Sequence, residues 1–126
     1  MTPEELLSSF VEEFNAGDVN SLLMLYETDA CTVSQPGQVV KGQENIRQSL
    51  QSFIDMRGKL ESKVLQASDL ALVISEWSFR GTGPDGKPIT LTGKATDILR
   101  QQQSDGITWR ILIDNPWGTD IPTAGI

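Results

Sequence analysis

An α+β domain is what this sequence predicts, with helices first and a meander of long strands afterwards. Three observations lead there. Up to Met56 the apolar residues recur at three-and-four spacing, the period of a helix with one buried face. After Arg57-Gly58 the pattern switches to alternation, the period of a strand. Turn signals at Ser68-Asp69, Gly83-Pro84-Asp85-Gly86 and Ser104-Asp105-Gly106 then divide the second half into long antiparallel strands.

The elements follow in order. Thr2 is placed to cap a first helix, with Pro3 at its first position and Glu5 completing a capping box. Leu6, Leu7, Phe10, Val11 and Phe14 form its apolar stripe, and Asn15-Ala16-Gly17 ends it through a left-handed glycine cap. Asp18 caps a second, short helix carrying Leu22, Leu23, Leu25 and Tyr26. Ala30 to Ser34 is predicted as a strand, and Gln35-Pro36-Gly37-Gln38 as a turn into Val39-Val40. A third helix is expected from about Gln43 to Met56, with Ile46, Leu50, Phe53 and Ile54 on one side. Strands are expected over Lys59 to Ala67, Leu70 to Gly81 and Pro88 to Gln103. A last strand carries Trp109, Ile111 and Ile113 and stops at Asn115-Pro116.

Alternation also predicts which way the strand side chains point. Ala71, Val73, Ser75, Trp77 and Phe79 share one face, as do Gly93, Ala95, Asp97 and Leu99, and as do Trp109, Ile111, Ile113 and Asn115. These more apolar series should face the helices. Asp97 is thereby the one ionisable group sent inward. Asp114 is read as outward, bonding at the surface or in a turn.

At 126 residues the chain is expected to form a single domain, 1–126, long enough to bury most of an apolar core. Ten basic against seventeen acidic side chains give a net charge of −7. That field repels phosphate, so neither nucleic acid nor an anionic membrane is an expected partner. No apolar run approaches a membrane span, and Met1-Thr2-Pro3-Glu4-Glu5 has neither the basic region nor the apolar core of an export signal. Cys31 stands alone, which makes a reducing cytoplasm the default and a small buried hydrophobe its expected role. There is no histidine. The commonest general base near neutral pH, every Ser-His triad and the usual zinc sites are thereby removed. The carboxylates are scattered without a metal-binding cluster, so neither a metal nor another cofactor is expected.

The run from Phe14 to Ala30, containing Asn15-Ala16-Gly17-Asp18, resembles the nuclear transport factor 2-like superfamily. Gly42 to Leu50 and Gly93 to Arg100 extend the likeness. The closing Asp105 to Gly118, with Trp109-Arg110-Ile111 and Asn115-Pro116-Trp117, is similar to the ketosteroid isomerase-like and SnoaL-like bacterial branch. The resemblance covers roughly residues 4 to 118. It implies a cone: a curved antiparallel sheet wrapped on three N-terminal helices, a deep apolar pocket at one end, and a homodimer formed through the outer sheet face. Aligned on Asn15 to Asp18, the ketosteroid isomerase oxyanion tyrosine falls on Phe10 and its proton-shuttling aspartate on Ser34. A phenyl ring donates nothing, and a serine hydroxyl cannot take a proton from carbon near neutral pH. Only the second oxyanion donor has a match, Asp97, so ketosteroid isomerase chemistry itself is not expected.

Asp97 is the candidate catalytic residue, set against a purely structural aspartate bonded to a neighbour. Buried among apolar side chains, its carboxyl should titrate high, as in the ketosteroid isomerase case by which this logic is generally illustrated. Phe10, Phe14, Phe53, Val73, Trp77, Phe79, Ala95, Leu99, Trp109, Ile111 and Ile113 are candidate pocket lining. All of them read equally as ordinary core. Ser34, Ser75 and Asn115 would add polarity, Tyr26 either a phenol or packing, and Trp117 a side chain at the mouth or a closure of the domain end. The expected function is a small-molecule pocket protein acting without a cofactor as isomerase, cyclase or dehydratase on a compact, mostly apolar carbonyl or hydroxyl compound. The alternative is a non-catalytic ligand-binding or dimerisation module.

Overall fold

The computed structural model describes residues 1–35 and 37–118; Pro36 of the expected Gln35 to Gln38 turn lies outside the described residues. The element order is α1 (Pro3–Ala16), α2 (Val19–Met24), β1 (Tyr26–Gln35), β2 (Gln38–Lys41), α3 (Gln43–Gln51), β3 (Arg57–Ala67), β4 (Leu70–Thr82), β5 (Pro88–Gln101) and β6 (Trp109–Asp114). The six strands form one sheet in the order β2-β1-β6-β5-β4-β3. The helices pack on one face, where Leu6, Leu7, Phe14, Leu22, Ile46 and Leu50 meet Ala71, Val73, Leu99, Trp109 and Ile111.

Local chemistry accounts for the helix ends. Thr2 Oγ1 accepts the Glu5 N–H at 3.2 Å, and Gly17 caps α1 at φ 73°. Asp18 Oδ1 accepts the Ser21 N–H at 3.1 Å, starting α2. Tyr26 does not continue that helix. The Leu25 carbonyl instead accepts the Ile111 N–H at 2.6 Å, and Tyr26 opens β1 opposite Ile111. The third helix is shorter than its apolar pattern. After Gln51 the hydrogen bonds become three-residue ones, from Phe53, Ile54 and Met56 back to Leu50, Gln51 and Phe53. The pattern of apolar contacts survives this tightening while the α-helix does not.

The sheet is mixed rather than wholly antiparallel, because β1 and β6 run parallel. β2 folds back on the outer side of β1 and leaves its other edge free. Three successive hairpins from β3 then deliver β6 to that edge in the same direction as β1. On β4 the expected alternation holds, with Ala71, Val73, Ser75 and Trp77 buried and Leu72 and Ile74 exposed. On β6 it breaks. Leu99 pairs with Ile111 but Ile98 pairs with Ile113, so Leu112 is an extra residue, a bulge. A one-residue insertion reverses every following side chain. Ile113 therefore lies 39% exposed, and Asp114 turns to the inside, opposite to the sequence expectation.

Candidate active site

Between α1, α3 and the sheet is an apolar cavity of about 100 Å³. One wall is a chain of rings. Tyr26 lies 6.4 Å from Phe10, Phe10 6.3 Å from Phe14, Phe14 4.8 Å from Phe79, and Phe79 4.9 Å from Trp77, which meets Trp117 edge-on. Two glycines make room for these rings. A Cβ on Gly93 would collide with the Trp77 indole, and one on Gly58 with the Phe79 ring. Bare backbone at these two strand positions lets both rings lie across the sheet. Trp77 is anchored further by donating its indole N–H to the Pro116 carbonyl at 2.6 Å.

The polar end of the cavity is a cluster that the bulge creates. Tyr26 Oη, 1% exposed as a residue, donates to Asp114 Oδ2 at 2.6 Å. Thr32 favours the charged form of Asp114, and the Asp97 and Asp114 carboxyls are near enough to act on each other. Asp97 Oδ1 accepts the Asn115 N–H at 2.8 Å. Both carboxyls lie deep in the fold, yet both residues line the cavity and keep part of their surface accessible.

Two buried carboxyls acting on each other favour a single proton between them. Burial pushes Asp97 well above the ordinary carboxylate range, and the neighbouring Asp114 charge pushes it further. Burial raises Asp114 as well, but Tyr26, Asp97 and Thr32 hold it back. The hydrogen bond from Tyr26 thus favours the charge on Asp114 and the proton on Asp97. Tyr26, raised by burial and by that charge, stays a neutral donor. The arrangement supplies a proton donor and a proton acceptor side by side in apolar surroundings.

Of the residues singled out in the sequence, Asp97, Phe10, Phe14, Tyr26, Ser34, Phe53, Trp77, Phe79, Ala95, Leu99, Ile111 and Trp117 line this cavity. Val73, Ser75, Trp109, Ile113 and Asn115 do not. Val73, Ser75 and Trp109 are buried away from the cavity lining. Ile113 is turned outward by the bulge. The Asn115 side chain serves a turn, donating to Thr96 Oγ1 at 3.1 Å and to the Gly118 carbonyl at 2.8 Å. Ser34 Oγ reaches Gln38 at 3.5 Å and has no base beside it. Asp114 and Thr32 are the residues that sequence reasoning missed. Cys31 is only partly buried, on the strand face opposite Thr32. Among the described residues no group of three or more His, Cys, Asp or Glu could hold a metal ion. No described helix is long and apolar enough to cross a membrane.

A family model for the SnoaL-like domain matches residues 7–110. No curated protein matches the sequence. Among solved structures, a ketosteroid isomerase-like protein from Erwinia carotovora atroseptica is 22% identical with a TM-score of 0.75, covering 89% of each chain. A provisionally named scytalone dehydratase from Novosphingobium aromaticivorans is 15% identical with a TM-score of 0.77, over 89% of this chain and 78% of its own. A nuclear transport factor 2-like superfamily protein from Salmonella enterica is 15% identical with a TM-score of 0.75, over 96% and 91%. At these identities the likeness is one of fold, and the family match covers most of the chain: the protein belongs to the SnoaL-like domain family and has the nuclear transport factor 2-like fold.

Proposed function

We propose that the protein performs cofactor-free acid–base chemistry on a compact, mostly apolar molecule, with Asp97 as acid and Asp114 as base. The proton shared between these two residues at the end of an apolar cavity carries this reading. A carbonyl oxygen and the hydrogen on its adjacent carbon are about as far apart as two hydrogen-bonded carboxyls. Asp97 can give its proton to the oxygen while Asp114 removes the carbon-bound one, forming an enol and exchanging the protonation states of the pair. The reverse transfers, to a different carbon, complete an isomerisation. With a hydroxyl leaving group, the same two transfers release water. Cavity size narrows the substrate: an apolar cavity of ~150 Å³ takes up benzene, and drug-sized ligands need ~300 Å³ or more. A single ring fits the scale of this cavity and a steroid does not.

The direct test is solvent exchange. The protein in D2O with cyclopentanone or 2-cyclopentenone should accelerate deuterium incorporation next to the carbonyl, followed by NMR. Asp97→Asn and Asp114→Asn should each lower the rate by about 10²–10⁴-fold, the usual worth of a positioned acid or base. No exchange above the buffer rate with either ketone would rule enolisation out.

A non-catalytic reading has its own support. The same hydrogen bonds tie β1, β5 and β6 together, as a structural aspartate pair would. It predicts that Asp97→Asn costs stability and leaves ligand binding unchanged. We also propose a homodimer through the outer sheet face. Leu65, Leu72, Ile98 and Ile113 are in register across four strands, flanked by Leu70 and Ile74, and five of the six are more than a third exposed. Contiguous apolar surface of this kind favours a partner. The free Cys31 supports a cytoplasmic setting.

A further inference from the structure

The charge within the cavity is unbalanced. Tyr26, Thr32 and the Asn115 N–H act on the Asp97–Asp114 pair but bring no positive charge to it. Among the described residues neither carboxyl forms a salt bridge; the ion pairs are Arg47–Glu44 and Arg100–Glu27. Among the described residues that line the cavity, Lys59 is the one cationic side chain, and it is exposed. The same cavity is lined by the stacked rings, and aromatic π systems attract cations. The net charge of −7 draws cations toward the molecule and repels anions. A buried charge without a counter-charge is costly, and a bound ion of opposite sign offsets that cost.

We infer that the cavity takes a compact organic cation: a protonated primary amine on a small apolar body, the ammonium against Asp114 and the body along Phe10, Phe14 and Phe79. The inference rests on the reading of the aspartate pair as the polar end of a ligand pocket. It adds a sign to the ligand, because the charged Asp114 would hold an ammonium more tightly than a neutral group of the same size.

Calorimetric titration at pH 7 with cyclopentylamine, cyclopentanol and cyclopentanecarboxylate separates the cases, since the three probes share a ring and differ in charge. The amine should bind at least tenfold tighter than the alcohol, and the carboxylate most weakly. Asp114→Asn should abolish the amine's advantage. Should Asp114→Asn fail to fold, repeating the wild-type titration at about 1 M salt decides, because attraction to the outer surface is screened there and an advantage held in the cavity survives. Equal affinity for amine and alcohol would overturn the cation inference and leave a neutral-ligand pocket standing. Tightest binding of the carboxylate would overturn it as well. So would an amine preference that persists in folded Asp114→Asn, which would place the ammonium on the acidic outer surface. Absence of binding by all three probes would overturn it too, and the deuterium-exchange experiment would then judge the pocket separately.

Discussion

Tyr26 shows how one hydroxyl determines the state of its neighbours. Its donation to Asp114 at 2.6 Å favours the charged form of that carboxyl and thereby helps to keep the shared proton on Asp97. Hydrogen bonds to charged groups are worth about 1.5–3 kcal/mol, so Tyr26→Phe should destabilise the fold by that amount in urea titrations. Asp97 itself makes stability depend on pH. Its folded-state pKa lies well above its unfolded value, so its stabilising contribution is complete below about pH 4 and is lost as pH rises through the folded value. In that window the native state holds the extra proton, and stability falls by at most about 1.4 kcal/mol per pH unit. Asp105, held near 2 by its hydrogen bonds to Thr108 and Ile107, acts in the opposite sense. It contributes above its unfolded value of 3.8 and loses that contribution as pH falls toward 2. Asp97→Asn should therefore reduce the decline with rising pH to the part that Asp114 contributes, while leaving the acid side in place. Equal slopes in wild type and variant above pH 4 would show that Asp97 is not protonated in the native state. Asp97 was legible in the sequence because β5 alternates without interruption. Asp114 was not, because its direction depends on the unpaired Leu112 two residues earlier.

At the scale of elements, what could be read was whatever local chemistry determines. The caps of α1 and α2 and the alternation of β4 required only neighbouring residues. The early end of α3, the start of β1 at Tyr26 and the parallel β1–β6 pairing depend on partners distant in sequence, which no local pattern reveals. The bulge in β6 belongs to this second group. Deleting Leu112 should restore simple alternation, turn Asp114 outward and lower the titration of Asp97 by the part the Asp114 charge contributes, leaving the part due to burial, readable by NMR of the side-chain carboxyls. The glycine–ring contacts make a second prediction. Gly93→Ala would drive a methyl into the Trp77 indole and strain its hydrogen bond to Pro116. Overpacking of this kind costs about 1–3 kcal/mol, and the near-ultraviolet circular dichroism of Trp77 should change with it. An unchanged spectrum and Tm would mean that the ring moves aside freely.

For the molecule as a whole, sequence and structure agree on helices over one face of a sheet and on an apolar interior rich in rings. The division of that interior into packed core and open cavity was not legible. Val73, Ser75 and Trp109 share the inward face with Trp77 and Phe79, and only the placement of the helices decides which of them border the space. The outer face carries the quaternary prediction: Leu72→Glu should convert a dimer to a monomer in sedimentation experiments without altering the Asp97–Asp114 pair. The central claim is that the cavity ends in two carboxyls holding one proton. It is tested most directly by a pH titration of the aspartate side-chain carboxyl carbons by 13C NMR, with Asp97 and Asp114 assigned through their Asn variants. The account predicts that Asp97 remains protonated well above the ordinary aspartate range and that its titration changes when Asp114 is replaced. Independent titration of both carboxyls near pH 4 would contradict it.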